Sequence, residues 1–234
     1  RQSMFAEFQL AINDLATARH AGIRPRLEVA LYEYGNNNLS QESNYIREVS
    51  GFTDDLDDLS AKLFALSTNG GSEHCGAVIQ CAIDDLGWSD HRDDLKLLFI
   101  AGNEEFNQGP IDFRGAVRGA IQRGVTVNTI YCGPEAEGVA TFWKEGATLA
   151  DGSFACIDQN QRAPHIDAPQ DQEIAALNQA LNATYLAYGA KGRERQEMQA
   201  RQEANAPAAA PAAAIARTQA KATAMYDNRS WDLV

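Results

Sequence analysis

No run of apolar residues in this 234-residue chain approaches the ~20 that a helix needs to cross a bilayer. No segment therefore reads as a membrane span. Positive charge is also scarce: 20 Lys and Arg stand against 32 Asp and Glu, for a net charge of −12. Nucleic acids and anionic bilayers are captured by basic fields, so this composition argues against both as partners. The four cysteines, Cys75, Cys81, Cys132 and Cys156, form no Cys-x-x-Cys pair, which weakens zinc and thioredoxin-like readings. They are expected as small, buried apolar thiols, with one disulfide open to them if the protein is exported.

Several catalytic signatures are missing as well. Gly70-Gly71-Ser72 ahead of a helix resembles an anion-cradling turn. Neither a Gly-x-x-x-x-Gly-Lys nor a Gly-x-Gly-x-x-Gly pattern accompanies it, which argues against a nucleotide site. There is no Gly-x-Ser-x-Gly elbow for a nucleophilic serine. His74 stands beside Cys75 and Glu73, but adjacent residues on a helix point to different sides, so it reads as structural. Trp88, Trp143 and Trp231 read as fillers of a core or of partner surfaces rather than sugar platforms. No secretory signal is visible. The chain opens on Arg1 inside a helical pattern and ends on the apolar Trp231-Asp232-Leu233-Val234. The expectation is a fragment lacking material at both ends, so that any targeting signal, for export or the periplasm, would lie upstream.

What is present suits one globular domain of roughly 150–200 residues plus extensions, at 44% hydrophobic content. Met4, Phe5, Phe8, Ile12, Leu15 and Ala16 predict an amphipathic helix over 3–19. Alternation over 27–34 predicts a strand, followed by a turn at Gly35-Asn36-Asn37-Asn38 and a shorter strand over 45–52. Thr53 is expected to cap the next helix. Asp54, Asp55, Asp57 and Asp58 crowd its start, where the helix dipole favours negative charge, rather than forming a calcium loop, whose spacing and glycine they lack. Leu59, Leu63 and Leu66 should face inward. A glycine loop over 68–72 leads to a helix over 73–86 with Val78, Ile79, Ala82, Ile83 and Leu86 as its apolar stripe.

The most informative stretch is Leu97-Leu98-Phe99-Ile100-Ala101, an apolar run that predicts a strand buried on both faces, ending in Gly102-Asn103-Glu104-Glu105. In open α/β sheets ligands bind beyond such carboxyl ends. A helix opened by Pro110 and capped by Gly124, a strand over 125–132, a helix or turn around Trp143, Ala147 and Leu149, a short strand over 153–157 and a helix over 170–185 follow. Residues 193–205 are charged and helix-prone, with Arg193 to Arg201 as a solvated face. Ala206–Pro211 is expected as a low-complexity linker, and a short helix is placed over 215–226. Strands alternating with helices imply α/β architecture with a doubly wound, mostly parallel sheet.

Three stretches in this order and spacing resemble a von Willebrand factor A (VWA) domain of bacterial type over residues 1–188: Thr68-Asn69-Gly70-Gly71-Ser72-Glu73-His74-Cys75-Gly76, Leu97 to Glu104, and Arg123 to Gly133. Thr148-Leu149-Ala150-Asp151-Gly152-Ser153-Phe154 matches the short final strand of the family. The resemblance implies a three-layer Rossmann-like fold carrying a metal-ion-dependent adhesion site that binds magnesium and is completed by an acidic residue of a protein ligand. Its Asp-x-Ser-x-Ser motif is absent, so the first strand of the family, central in its sheet, is expected to be missing, leaving a gap between strands 27–34 and 95–101 or another segment in it. By the same resemblance Ser72 takes the position of the threonine, and Asn103, or the longer Glu104, that of the aspartate. Hence Ser72, Asn103 and Glu104 are the implied metal ligands, with Glu105 at the rim and magnesium expected in an intact protein rather than in this fragment.

The organisation expected is a VWA-like domain over 1–188 and a charged, partly disordered helical tail over 189–234. The function expected is a non-catalytic protein-binding module. Two alternatives remain open: an α/β hydrolase or nucleotide-binding enzyme whose motif lies upstream, and a scaffold with a dead metal site that binds through its tail.

Overall fold

The computed structural model describes residues 26–67, 69–157, 168–223 and 225–233. The helix expected over 3–19 lies outside these residues, as does Thr68 of the glycine loop. The chain divides into two compact units, one of Ala30–Phe52 and Ser67–Gln161, the other of Arg1–Val29, Thr53–Leu66 and Arg162–Val234.

The first unit carries the sheet. Strands β1 (Val29–Tyr34) and β2 (Ile46–Thr53) pair with each other. Strands β3 (Lys96–Gly102), β4 (Val125–Tyr131) and β5 (Phe154–Cys156) form a second, wholly parallel sheet in that order. The fold is thus mixed α/β with a parallel sheet, as the alternation of strands and helices requires. β4 is the central strand and buries every second residue, Val125, Val127, Thr129 and Tyr131. Among the described residues β3 pairs on one side only, with β4, and no strand joins the two sheets. This is the gap expected between them.

The expectation that β3 is buried on both faces does not hold: Phe99 is 61% exposed and Leu95, just ahead of the strand, 75%. The face that carries Phe99 lacks the covering layer that doubly packed parallel strands receive. The core lies elsewhere. Helix α2 (Cys75–Asp85) contributes Cys75, Val78, Ile79 and Ile83, and helix α3 (Phe113–Gln122) contributes Phe113, Val117 and Ala120. Trp143, which opens the short helix α5 (Trp143–Leu149), and Phe106 are both fully buried, with ring centroids 4.8 Å apart. A further turn of helix, α4 (Glu135–Ala140), precedes α5. Trp143 and Trp231 are buried and Trp88 partly so, in line with a packing role.

Helix starts differ from the expectation in an instructive way. Thr53 Oγ1 accepts from the Asp55 amide, but the cap of helix α1 (Leu56–Ala65) is Asp55, whose carboxylate accepts from the Asp58 amide. Asp112, not Pro110, caps α3 by accepting from the Arg114 amide. In both places a carboxylate two residues beyond the expected start satisfies an otherwise orphaned donor. No disulfide joins the cysteines among the described residues; only Cys75 is buried, Cys81 and Cys132 are half-buried, and Cys156 is exposed, so the picture of four buried thiols holds for one.

The second unit is helical: α1, α6 (Gln170–Thr184), α7 (Gly189–Ala209) and α8 (Pro211–Lys221). Residues 189–221, expected as part of a loose tail, are almost wholly helical, and Ala206 and Pro207 continue α7 instead of forming a linker. Packing explains this. Ala206, Ala210, Ala213, Ala216 and Ala220 are buried, so small side chains let helices approach closely. Between them lies an ionic network. Arg217, 5% exposed at its side chain, donates to Asp57 at 2.7 Å and to Glu203 at 2.8 Å. Lys221 donates to Glu203 at 2.6 Å and to Asn182 at 2.7 Å, and Tyr226 to Asp57 at 2.7 Å. Arg195, read as part of a solvated face, pairs with Asp55. Burial pushes the Glu203 carboxyl up, but Arg217 and Lys221 together with Asn178 outweigh this and hold it below the usual range. The crowded aspartates therefore do more than favour a helix dipole: Asp57 is a buried anion neutralised by Arg217. Removing one partner of such a pair strands the other charge. Arg217→Ala is expected to destabilise the helical unit by about 3–5 kcal/mol in urea unfolding followed by circular dichroism. A loss of under about 1 kcal/mol, the worth of an exposed pair, would contradict this role.

Candidate functional site

Three loops of the first unit meet at the carboxyl end of β3. The first follows β1 and holds Gly35 to Asn38. The second, Ser67 and 69–74, precedes α2. The third, Asn103 to Phe106, follows β3. Asparagines join the first two: the Asn37 amide donates to the Asn69 carbonyl at 2.6 Å, Asn36 Nδ2 to the Ser67 carbonyl at 3.1 Å, and Asn69 Nδ2 to Asn38 Oδ1 at 3.0 Å. The first of these is backbone to backbone, the second side chain to backbone and the third side chain to side chain.

Glu73 joins the second loop to the third. Its Oε2 accepts from the Asn103 amide at 3.0 Å and from the Glu104 amide at 3.1 Å. Two glycines make room for it. A Cβ on Gly35 would stand 2.8 Å from Glu73 Cγ, and one on Gly102 would stand 2.1 Å from Glu73 Oε2. Burial raises the Glu73 carboxyl above its ordinary value; the two amides oppose this, and the like charge of Glu104 adds to it.

Two other side chains hold the β3 terminus. Tyr34 Oη donates to the Ala101 carbonyl at 2.8 Å, and Trp143 Nε1 donates to the Glu104 carbonyl at 2.7 Å. Burial lifts the Tyr34 phenol well above its ordinary range, so it stays a neutral donor. Cys75 Sγ lies 3.8 Å from Tyr34 Oη, and burial pushes its thiol up, which makes it unsuited to nucleophilic work. Phe106, sunk in the core, anchors the far end of the third loop.

The residues singled out from sequence are gathered at this rim. Gly71 and Glu73, on either side of Ser72, both approach Glu104: a Cβ on Gly71 would stand 3.4 Å from Glu104 Oε1. Asn103 is exposed, Glu104 half-buried and Glu105 exposed. Asn103 Nδ2 donates to Glu104 Oε1 at 3.2 Å. The residue that sequence reasoning missed is Glu73. Its partners lie 30 and 31 positions away, so no local spacing announces them; the one hint is an acid directly after a glycine loop.

As a metal site the set is poor. Magnesium requires octahedral, hard oxygen donors, with carboxylates to supply charge. Here one hydroxyl, one neutral amide and one carboxylate stand together; one oxygen of that carboxylate already accepts from Asn103, and Glu73 is engaged by backbone amides. Among the described residues no three His, Cys, Asp or Glu gather in a way that could hold a metal ion. The donors present do not fit magnesium on their own.

Gly102→Ala tests how tightly the rim is packed. Its methyl would also meet Tyr34 Oη at 2.8 Å and Trp143 at 2.9 Å. The expected cost is about 1–3 kcal/mol in chemical unfolding, the usual range for forcing an extra carbon into a packed site. A neutral effect would show that the rim is looser than described.

No family model matches the chain, and no curated protein matches it in sequence. Among solved structures, it resembles an aerotolerance-related membrane protein from Bacteroides fragilis NCTC 9343, with multiple mutations to serines, at 13% identity over 66% of this chain and 81% of that one, TM-score 0.42. It also resembles the SpRpn10 VWA domain at 16% identity over 68% of this chain and 78% of that one, TM-score 0.43.

Proposed function

We propose that this chain is a non-catalytic protein-interaction module of the VWA kind, which meets a protein ligand at the carboxyl end of β3 through Ser72, Asn103, Glu104 and Glu105. The observation that carries this reading is the convergence of the Gly71–Glu73 loop with Asn103–Glu104, secured by the Glu73 carboxylate on two backbone amides. The resulting rim offers an amide, a hydroxyl and carboxylates around a braced backbone, suited to polar recognition. The nearest thiol, Cys75, is buried and held neutral, which makes it unsuited to nucleophilic work. Recognition here is proposed to run without a metal. Magnesium would require further oxygen ligands, such as an Asp-x-Ser-x-Ser loop, beyond Ser72, Asn103 and Glu104. Binding through the C-terminal helices is a weaker reading, because Gln199, Arg217 and Lys221 spend their polar groups on one another and on their neighbours.

Two measurements test this. A photo-crosslinking amino acid at position 105 should yield a discrete protein adduct in cells. The same substitution at exposed Gln122, at the far end of α3, should not, and Asn103→Ala with Glu104→Ala should abolish the adduct. Equal adducts from both positions, or an adduct that survives the double substitution, would sink the rim as the interface. Calorimetric titration of the chain with magnesium chloride should show no saturable heat at millimolar concentrations. Saturable heat lost in Asn103→Ala would overturn the metal-free reading.

A further inference from the structure

We infer that Glu73 is the positioning residue of the recognition rim: a clamp whose carboxyl group fixes the Asn103–Glu104 backbone and so sets where both side chains are presented. This rests on the reading of that rim as the interaction site, but its test needs no ligand. Tyr34 holds the Ala101 carbonyl and Trp143 the Glu104 carbonyl. The two amides between those points depend on Glu73. One carboxylate oxygen receiving both donors is a charge-assisted arrangement, stronger than a neutral bond. Glycines at 35 and 102 are required for it, since a Cβ at either would collide with Glu73.

The clamp has an electrical cost. Tyr34 from β1, Cys75 from α2, Cys132 after β4 and Glu104 face Glu73, and all are neutral or negative. Burial is the main reason its carboxyl titrates above the ordinary value, with Glu104 adding to the rise and the amides opposing it. A raised folded pKa means that the fold binds this proton more tightly than the unfolded chain does. The stability contributed by the group is full below its unfolded pKa and is lost as pH rises through the folded pKa. The clamp itself runs the other way: the ionised form is the better acceptor, so the rim tightens as Glu73 loses its proton. Order at the rim is thus maintained at a cost in global stability.

Hydrogen exchange by NMR separates this from a merely structural role. Glu73→Ala is expected to lower the protection of the Asn103 and Glu104 amides by about tenfold or more, the effect of losing a charge-assisted bond. The Thr129 amide, which donates to Ser153 within the sheet, serves as the reference and should not change. Glu73→Gln keeps an acceptor oxygen but no charge and should retain only part of the protection. Its protection factors at 103 and 104 should not depend on pH through a side-chain titration, whereas those of the parent should fall as Glu73 takes up its proton. Unchanged protection in Glu73→Ala, or the same pH profile in Glu73→Gln and the parent, would overturn the clamp while leaving the interface reading to its own crosslinking test.

Discussion

A half-buried carboxyl group answered by two backbone amides is the interaction on which the site depends. A strand that ends at a sheet edge leaves unpaired N–H groups, and these must find acceptors or lose free energy. Glu73 supplies the acceptor for Asn103 and Glu104. Its position is dictated by glycine on two sides, because any larger residue at 35 or 102 would take the space the carboxylate fills. Tyr34 and Trp143 then fix the carbonyls on either side. The loop after β3 is irregular in conformation but fully tied, which allows an exposed loop to present side chains in a fixed arrangement.

The helical unit solves a different problem with the same currency. Asp57 and Glu203 are anions taken out of water, and Arg217 and Lys221 answer them with short, multiply shared bonds. Such pairs bring little net stability over apolar packing, yet they tolerate no missing partner. They also add fixed partners to contacts made in part by small side chains, Ala206, Ala210, Ala213, Ala216 and Ala220.

Much of the fold was legible because it follows from short-range rules. The alternation in Val125–Tyr131 matches the buried and half-buried pattern of β4, and the apolar stripe Val78, Ile79, Ala82 and Ile83 is the buried face of α2. The meeting of the glycine loop with the loop after β3 was legible, since Glu73 bonds the amides of Asn103 and Glu104. Other features were not. An apolar run such as Leu97–Ala101 looks the same whether both faces are covered or, as here, Phe99 is left exposed; what packs on each face of the sheet decides. Ala206–Pro211 reads as a linker by composition, yet residues 206–209 continue α7 and Pro211 opens α8, with only Ala210 extended between them. Asp57 was visible as an acid near a helix start, but its partner Arg217 lies 160 residues away. Glu73 escaped for the same reason. Contacts made across long sequence separations leave no period or spacing to detect.

The account's central claim is that the glycine loop and the end of β3 form one braced surface through Glu73. Nuclear Overhauser contacts between the Glu73 side chain and the amide protons of Asn103 and Glu104 test it most directly. The account predicts clear cross-peaks from Glu73 Hγ protons to both amides, with Gly71 close to the Glu104 side chain. Absence of those cross-peaks in a protein whose β3–β4 contacts are intact would contradict it.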